Sequence, residues 1–194
     1  MTNVYGLLLS LKERGIAFVS AKEIADALGV TVDTVKKDIS LMKLVRFSRK
    51  GYDVAVLSST LSERLSLNRL RRTCIIGLGR IGTSLLEYPK FLENGFDIVA
   101  GFDASNNKME LIRTKVPLFS VSLLEQVIRE KSIELAIIAV PNGHAQKVSD
   151  SALNAGVQGI LNFTAEKVVV PANIGYKDMD VIAALRYIAA FKNQ

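Results

Sequence analysis

The sequence predicts an α/β chain in three parts. These are an N-terminal winged helix-turn-helix unit over 1–70, a doubly wound parallel-sheet domain over 71–176, and a C-terminal helix over 177–194. Three observations predict it. From Thr73 to Phe163, short apolar β-favouring runs alternate with segments of helical period, as a parallel sheet covered on both faces requires. The first of those runs leads straight into a G-x-G-x-x-G. Finally, residues 1–72 hold 13 Lys/Arg against 7 Asp/Glu while residues 73–194 hold 12 of each, so the whole positive excess lies ahead of that loop. A basic small unit joined to a neutral one points to an anionic polymer as the partner of the first.

Composition narrows the class. The chain is 49% hydrophobic and 23% charged, ordinary for a soluble globular protein. No apolar run approaches the roughly 18 residues of a membrane span. The stretch MTNVYGLLLSLKERG lacks a basic leader and a small-residue cleavage site, so no secretory signal is expected and the protein is placed in the cytoplasm. Cys74 is the single cysteine, which leaves no partner for an intrachain disulfide and no metal site built on thiolates.

Val4, Leu7, Leu8 and Leu11 form one helical stripe within Val4–Glu13, and Gly15 ends it. Ser20 with Glu23 makes a capping box for a helix over Ala21–Leu28, stopped by Gly29. Thr31 is placed to cap a third helix, Val32–Met42, with Val35, Ile39 and Met42 inward and Lys36 and Lys37 outward. Helix, short Gly-containing turn and basic helix make a helix-turn-helix pattern. Thr31, Thr34, Lys36 and Lys37 are its donor-bearing positions for base edges or phosphates. Lys43–Val54 is basic and β-prone, with Gly51 supplying flexibility, and reads as a wing that carries Arg46, Arg49 and Lys50 to the DNA backbone or minor groove. The competing reading is a solvated basic face on a three-helix docking module. A helix over Leu57–Leu70 then links the two parts.

Thr73–Ile76 reads as a strand, followed by Gly77-Leu78-Gly79-Arg80-Ile81-Gly82 and a helix with Ile81, Leu85 and Leu86 inward. A second strand, Phe96–Phe102, ends on Asp103, 21 residues after Gly82. This is the order of a Rossmann-like dinucleotide-binding unit. Gly77 permits the turn, Gly79 lets a pyrophosphate approach the backbone, and Gly82 lets the helix pack on the sheet. The helix N-terminus offers N–H groups to phosphate. Asp103 is placed to accept both adenosine-ribose hydroxyls, and its carboxylate would repel a 2′-phosphate, which favours NAD(H) over NADP(H). The alternative is a set of glycines that only serve a βα turn. Arg80 either contacts phosphate or is solvated.

Val116–Phe119 is expected as a third strand, and Ser122–Lys131 as a helix with Leu123, Val127 and Ile128 inward. Leu135–Val140 is an apolar strand ending in the loop Pro141-Asn142-Gly143-His144, at the carboxyl edge where open parallel sheets bind ligands. A helix over Ala145–Ala155, a strand over Gly159–Phe163, an extended Val168–Pro171 and a final helix over Val181–Phe191 complete the chain. His144 is the only histidine, which argues against a Ser-His-Asp triad or a multi-histidine metal site. It either touches the nicotinamide end of a ligand or is an inconsequential loop residue. No second domain remains to bring a substrate to the nucleotide, so the pocket implies a sensor and not an enzyme.

At this point the residues resemble a known family, the redox-sensing transcriptional repressors of the Rex type, over nearly the whole chain. The matching pieces are Ser20–Ala25, Lys36–Ser40, Gly51–Val54, the Gly-rich loop with Leu85–Tyr88, Ala100–Asp103, Val140-Pro141, Gly159–Phe163 and Asp180-Val181. The resemblance implies a homodimer on a palindromic operator, released when NADH binds. With these pieces, Ser20 and Ser40 join the DNA-contacting residues, and Leu78, Arg80, Ile81, Val140, Pro141, Asn162 and Phe163 join the nucleotide contacts. It also implies a last helix exchanged between subunits, with Val181, Leu185, Ile188 and Phe191 as its apolar face and Tyr88 and Asp180 in a polar network that reports ligand state. From sequence, that helix could equally fold back on its own domain.

The chain departs from the family pattern at Lys43, Arg46 and Arg49, where the wing usually has glycine, and at Thr164-Ala165, where Ala-Pro is usual. Ala184 stands in place of a common acid, and the Arg and Pro common near the family's N-terminus are missing from Met1–Leu11. These mark a divergent member. Two rival readings remain, a small NAD-dependent oxidoreductase and a CoA- or nucleotide-binding docking protein.

Overall fold

Among the described residues, apolar side chains gather into three cores, one within Met1–Arg69 and two on opposite faces of a sheet within Leu70–Gln194, and the chain divides into these two units. The computed structural model describes residues 1–41, 48 and 50–190.

The first unit is built of α1 (Thr2–Glu13), β1 (Phe18–Val19), α2 (Ala21–Leu28), α3 (Val32–Leu41), β2 (Tyr52–Asp53) and α4 (Val54–Arg64). The stripe residues Leu8, Ile24, Val35, Ile39, Leu57 and Leu61 meet in its core. The capping box forms in full: the Glu23 N–H donates to Ser20 Oγ at 3.1 Å and the Ser20 N–H to Glu23 Oε2 at 2.7 Å. β1 and β2 pair antiparallel, and Ser48 bridges to Gly51 just ahead of β2. Gly51 is there for more than flexibility. Its φ is +101°, and a Cβ would lie 2.6 Å from the Val19 carbonyl oxygen, so a side chain is excluded. Met42–Phe47, Arg49 and residues 191–194 lie outside the described residues, and with them the expectations for Met42, Lys43, Arg46, Arg49 and Phe191. The linking helix expected over Leu57–Leu70 instead begins at Val54, because Asp53 Oδ1 accepts the Val56 N–H at 3.0 Å and caps it, and it ends at Arg64.

In the second unit β3 (Arg71–Ile76), α5 (Arg80–Leu86), α6 (Lys90–Glu93), β4 (Phe96–Asp103), α7 (Asn106–Leu111) and β5 (Leu118–Ser120) run outward to one edge. The chain then returns through α8 (Leu124–Glu130) to β6 (Leu135–Ile138), α9 (Ala145–Asn154), β7 (Gly159–Asn162), β8 (Gly175–Asp178) and α10 (Val181–Ala190). The strands form one parallel sheet in the order β5-β4-β3-β6-β7-β8. Phe102, Ile128, Ile138 and Ala152 fill one face, and Ile75, Leu78, Leu86 and Ile137 the other. β3 and β6 are neighbours reached from opposite directions, so a crevice opens at their carboxyl ends.

Three expectations need correction here. The third strand is Leu118–Ser120, shifted from Val116–Phe119. The following helix starts as a 3-10 turn over Val121–Leu123, which turns Leu123 outward and gives its buried place to Leu124. The sixth strand is Gly175–Asp178, a Gly-Tyr-Lys-Asp sequence at the sheet edge, and the boundary expected at 176 falls inside it. A polar edge strand has no apolar run to betray it. α7, held by Ser105 as its N-cap, is also absent from the sequence reading.

Candidate nucleotide-binding site

A cavity of about 780 Å³ opens over the carboxyl ends of β3, β4 and β6. Gly77, Gly79, Arg80 and Ile81 line it from the Gly-rich loop, Asp103 from the end of β4, and Val140 and Pro141 from the loop after β6. The three glycines of the motif have different tasks. Gly77 has φ +94° with the Ala139 carbonyl 2.6 Å from where its Cβ would be, and a Cβ on Gly82 would lie 1.9 Å from the Gly77 oxygen. These two serve close packing. Gly79 would meet nothing within 4 Å, so its bare backbone faces open space. That is the surface a pyrophosphate needs to approach the main chain.

Asp103 is 8% exposed and accepts three hydrogen bonds from its own chain. Its Oδ2 accepts the Leu78 N–H at 2.8 Å and the Lys108 ammonium at 2.9 Å, and its Oδ1 accepts the Ser105 N–H at 2.9 Å. Burial works to raise its pKa, but the Lys108 hydrogen bond and charge, with the two backbone N–H groups, outweigh burial and hold the carboxyl below the usual range. The acid therefore stays ionised at the edge of the cavity. Lys108 was not identified from sequence. It reaches Asp103 because α7 turns the chain back immediately after β4.

Several expected residues take other places. The Leu78 side chain is buried in the sheet core, and only its N–H matters to the site. Gly82 lies behind the loop. Asn162 and Phe163, expected at the nucleotide, are not among the residues lining this cavity. Phe163 packs with the core around Ile75. Asn162 is 0% exposed: its Nδ2 donates to the Glu166 carbonyl, to Tyr176 Oη and to Asp178 Oδ1, while its Oδ1 accepts both the N–H and the hydroxyl of Thr164. Tyr176 also donates to Asp178 Oδ1. This network closes the carboxyl end of β7 instead of presenting it. His144 does line the cavity, and Lys147, Val148 and Ser151 of α9 line it too. Their spacing of 3, 4 and 7 from His144 is one helical face, a signal the sequence carried.

In the first unit, Thr31, Thr34, Lys36, Lys37 and Ser40 are all exposed along α3. Thr31 and Thr34 share a hydroxyl hydrogen bond of 2.8 Å, and Ser40 Oγ donates back to the Lys37 carbonyl at 2.8 Å. Ser20 is occupied as a helix cap. Lys50 lies 5.7 Å from the centroid of the Phe18 ring. In the second unit, Tyr88 is exposed with its ring edge-on to Phe91, and Asp180 Oδ1 caps α10 by accepting the Ala183 N–H at 2.9 Å. No residue of α10 is buried, Val181 and Leu185 included.

A parallel sheet with a Gly-rich loop at its switch point, on a chain that begins with a basic helix-turn-helix unit, defines a nucleotide-binding protein with a DNA-binding type of fold at its head. Residues 68–166 match the family described as "CoA binding domain", and residues 5–40 match the one described as "Putative DNA-binding protein N-terminus". The redox-sensing transcriptional repressor Rex of Oenococcus oeni is 30% identical over 192 residues, 96% of this chain and 87% of that one. Rex of Listeria monocytogenes is 31% identical over 181 residues, 93% of this chain and 84% of the relative. Among solved structures, RSP in complex with beta-NADH superposes with a TM-score of 0.83 at 26% identity, covering 98% of this chain and 89% of that one. RSP in complex with beta-NAD+ and operator DNA gives 0.82 at 26%, covering 97% and 87%. The chain belongs to the Rex family of redox-sensing transcriptional repressors.

Proposed function

We propose that this protein is a DNA-binding transcriptional repressor that senses the NADH/NAD+ ratio, NADH binding releasing a homodimer from a palindromic operator. The observation that carries the reading is the cavity itself: bare backbone at Gly79, an ionised Asp103 25 residues along the chain from Leu78, and Arg80 at the rim. These groups suit a pyrophosphate on the loop and a ribose at the acid. Val140 and Pro141 would flank the ligand on the β6 side, and His144 lies within reach of the same space. The RSP structures with beta-NADH and with beta-NAD+ and operator DNA support the same two ligands here.

Operator contact falls to α3 and the turn before it, where exposed Thr31, Thr34, Lys36 and Lys37 are what a recognition helix needs, with the basic residues Arg46, Arg49 and Lys50 as the further contacts expected from sequence. Dimerisation falls to the second unit and α10. The apolar Val181, Ile182, Leu185 and Ile188 are all exposed, and a second copy is the occupant that would cover them. Tyr88 and Asp180 would report ligand state across that interface. NADH and NAD+ compete for one cavity, so only their different affinities for the two dimer states can move the DNA equilibrium.

The test is a fluorescence-anisotropy titration onto a palindromic Rex-type operator, alone and with each nucleotide. Release by NADH, with NAD+ neutral or supportive, is the expected result; binding indifferent to both would refute the sensor. Replacing Lys36 and Lys37 together by Ala should weaken binding and flatten its salt dependence by about 1–2 units of slope if both meet phosphates.

A further inference from the structure

The loop Pro141–His144 gives Pro141 and His144 to the cavity. Its shape is held from outside its own helix. His144 stands at the N-cap of α9 with no side-chain hydrogen bond, and Gly143 takes a φ of +84°. The Gly143 N–H donates at 2.8 Å to Glu166 Oε2, 23 residues further on, in the strap Thr164–Val169 that follows β7. That strap has several anchors. The Glu166 carbonyl accepts Asn162 Nδ2 at 2.8 Å, and its N–H donates to Thr164 Oγ1 at 3.3 Å. The Val168 N–H donates to Tyr176 Oη at 3.3 Å. Gln146 ties the strap to α9 in both directions, its Oε1 accepting the Val169 N–H at 2.8 Å and its Nε2 donating to the Val169 carbonyl at 3.1 Å. Asp150 Oδ1 accepts from the same Nε2 at 2.8 Å, which fixes the orientation of the amide. Loss of any one anchor leaves the others holding the strap.

The sheet order puts Asp103, on β4, and this loop, after β6, on opposite sides of the Gly-rich loop that follows β3. A dinucleotide with its adenosine ribose at Asp103 and its pyrophosphate on the Gly-rich loop lays its nicotinamide half along Pro141–His144. We propose that Glu166 is a positioning residue for that half: by holding the Gly143 N–H it keeps the loop in the shape that receives the nicotinamide ribose and ring. The inference rests on reading the cavity as a dinucleotide site. Glu166 is not among the residues lining the cavity, so it acts through Gly143 and not by touching the ligand. What it supplies is preorganisation, since a loop already set spares the ligand the entropy of ordering it. The bond itself is exposed, so water can replace it at little cost to the fold.

The experiment is a calorimetric titration of the full-length protein with NADH and with ADP, for the wild type, Glu166→Ala and Glu166→Gln. ADP carries the adenosine and both phosphates but lacks the nicotinamide half. Glu166→Ala should weaken NADH about tenfold while ADP stays within about twofold of wild type. Glu166→Gln keeps an oxygen that can accept the Gly143 N–H, and should bring NADH back to within about threefold of wild type. An NADH affinity unmoved by Glu166→Ala, or NADH and ADP weakened alike, overturns the role of Glu166 and leaves the dinucleotide site standing. Glu166→Gln as weak as Glu166→Ala does the same, because the hydrogen bond to Gly143 would then not be what matters. Failure of the wild type to bind either NADH or ADP overturns both.

Discussion

Two polar residues end two parallel strands of the same sheet, Asp103 on β4 and Asn162 on β7. Both stand at the carboxyl edge where such sheets bind ligands. Their fates differ. Asp103 lines the cavity and keeps acceptor capacity toward it, whereas Asn162 is sealed off. Thr164, one residue past Phe163, supplies two donors to its carbonyl oxygen, and Glu166, Tyr176 and Asp178 receive its amide N–H groups. A primary amide has two N–H donors and one carbonyl oxygen, so nothing is left for a ligand. Position at a strand end is a necessary condition for a binding residue. Unspent hydrogen-bonding capacity is the further one.

The strongest way to break this comparison is Asn162→Ala. It strips the acceptor from the Thr164 N–H and hydroxyl and the donor from Tyr176 and Asp178, all in a closed interior. Destabilisation of about 3 kcal/mol is expected, read by urea unfolding. At temperatures where the variant remains folded, NADH affinity should stay within a few-fold of wild type. A stable variant with lost NADH binding would mean that Asn162 faces the ligand after all.

Asp103→Ala should show the reverse pattern, with a smaller effect on folding and NADH affinity reduced by about 2 kcal/mol, roughly thirtyfold, as charge-assisted bonds to the ribose are lost. Calorimetry decides it, and unchanged affinity would place the ribose elsewhere. Thr164→Val is milder. It removes the hydroxyl but leaves the backbone N–H on Asn162 Oδ1. About 1 kcal/mol of stability should go, with no change at the cavity.

The two strand ends also show what could be read from the chain. The β3–Gly-rich loop–β4 unit was legible because its constraints are local: a strand, three glycines with steric tasks, a helix and an acid follow one another within 73–103. The same holds for the capping box at Ser20 and Glu23 and for the apolar stripes of α1 to α3. Lys108 was not legible, because its meeting with Asp103 depends on where α7 begins, and that is set by the Ser105 cap and the turn out of β4. The network around Asn162 was not legible for a related reason. Its partners Tyr176 and Asp178 arrive from β8, 14 and 16 residues later, on a strand too polar to be seen as one. Lys147 and Ser151 had a readable signal, the helical face they share with His144. Thr164 was visible as a departure from the family pattern, but its task became clear only with Asn162 beside it.

The gentlest test of the contrast uses acid. The bonds from Lys108, Ser105 and Leu78 hold the folded Asp103 carboxyl below its ordinary range against the opposing effect of burial. An unfolded Asp titrates near about 3.9. As pH falls into the window between that value and the lower folded one, the unfolded chain binds the extra proton first, so the equilibrium shifts toward unfolding. The contribution of Asp103 to stability is complete above the unfolded value and is lost as pH drops through the folded one. The gap in unfolding free energy between wild type and Asp103→Asn, measured by urea titration from pH 6 downward, should therefore hold level to about pH 5 and close below about pH 4. A gap that stayed constant to low pH would mean that the carboxyl is held by shape and not by charge, and the distinction drawn between the two strand ends would lose its electrostatic half.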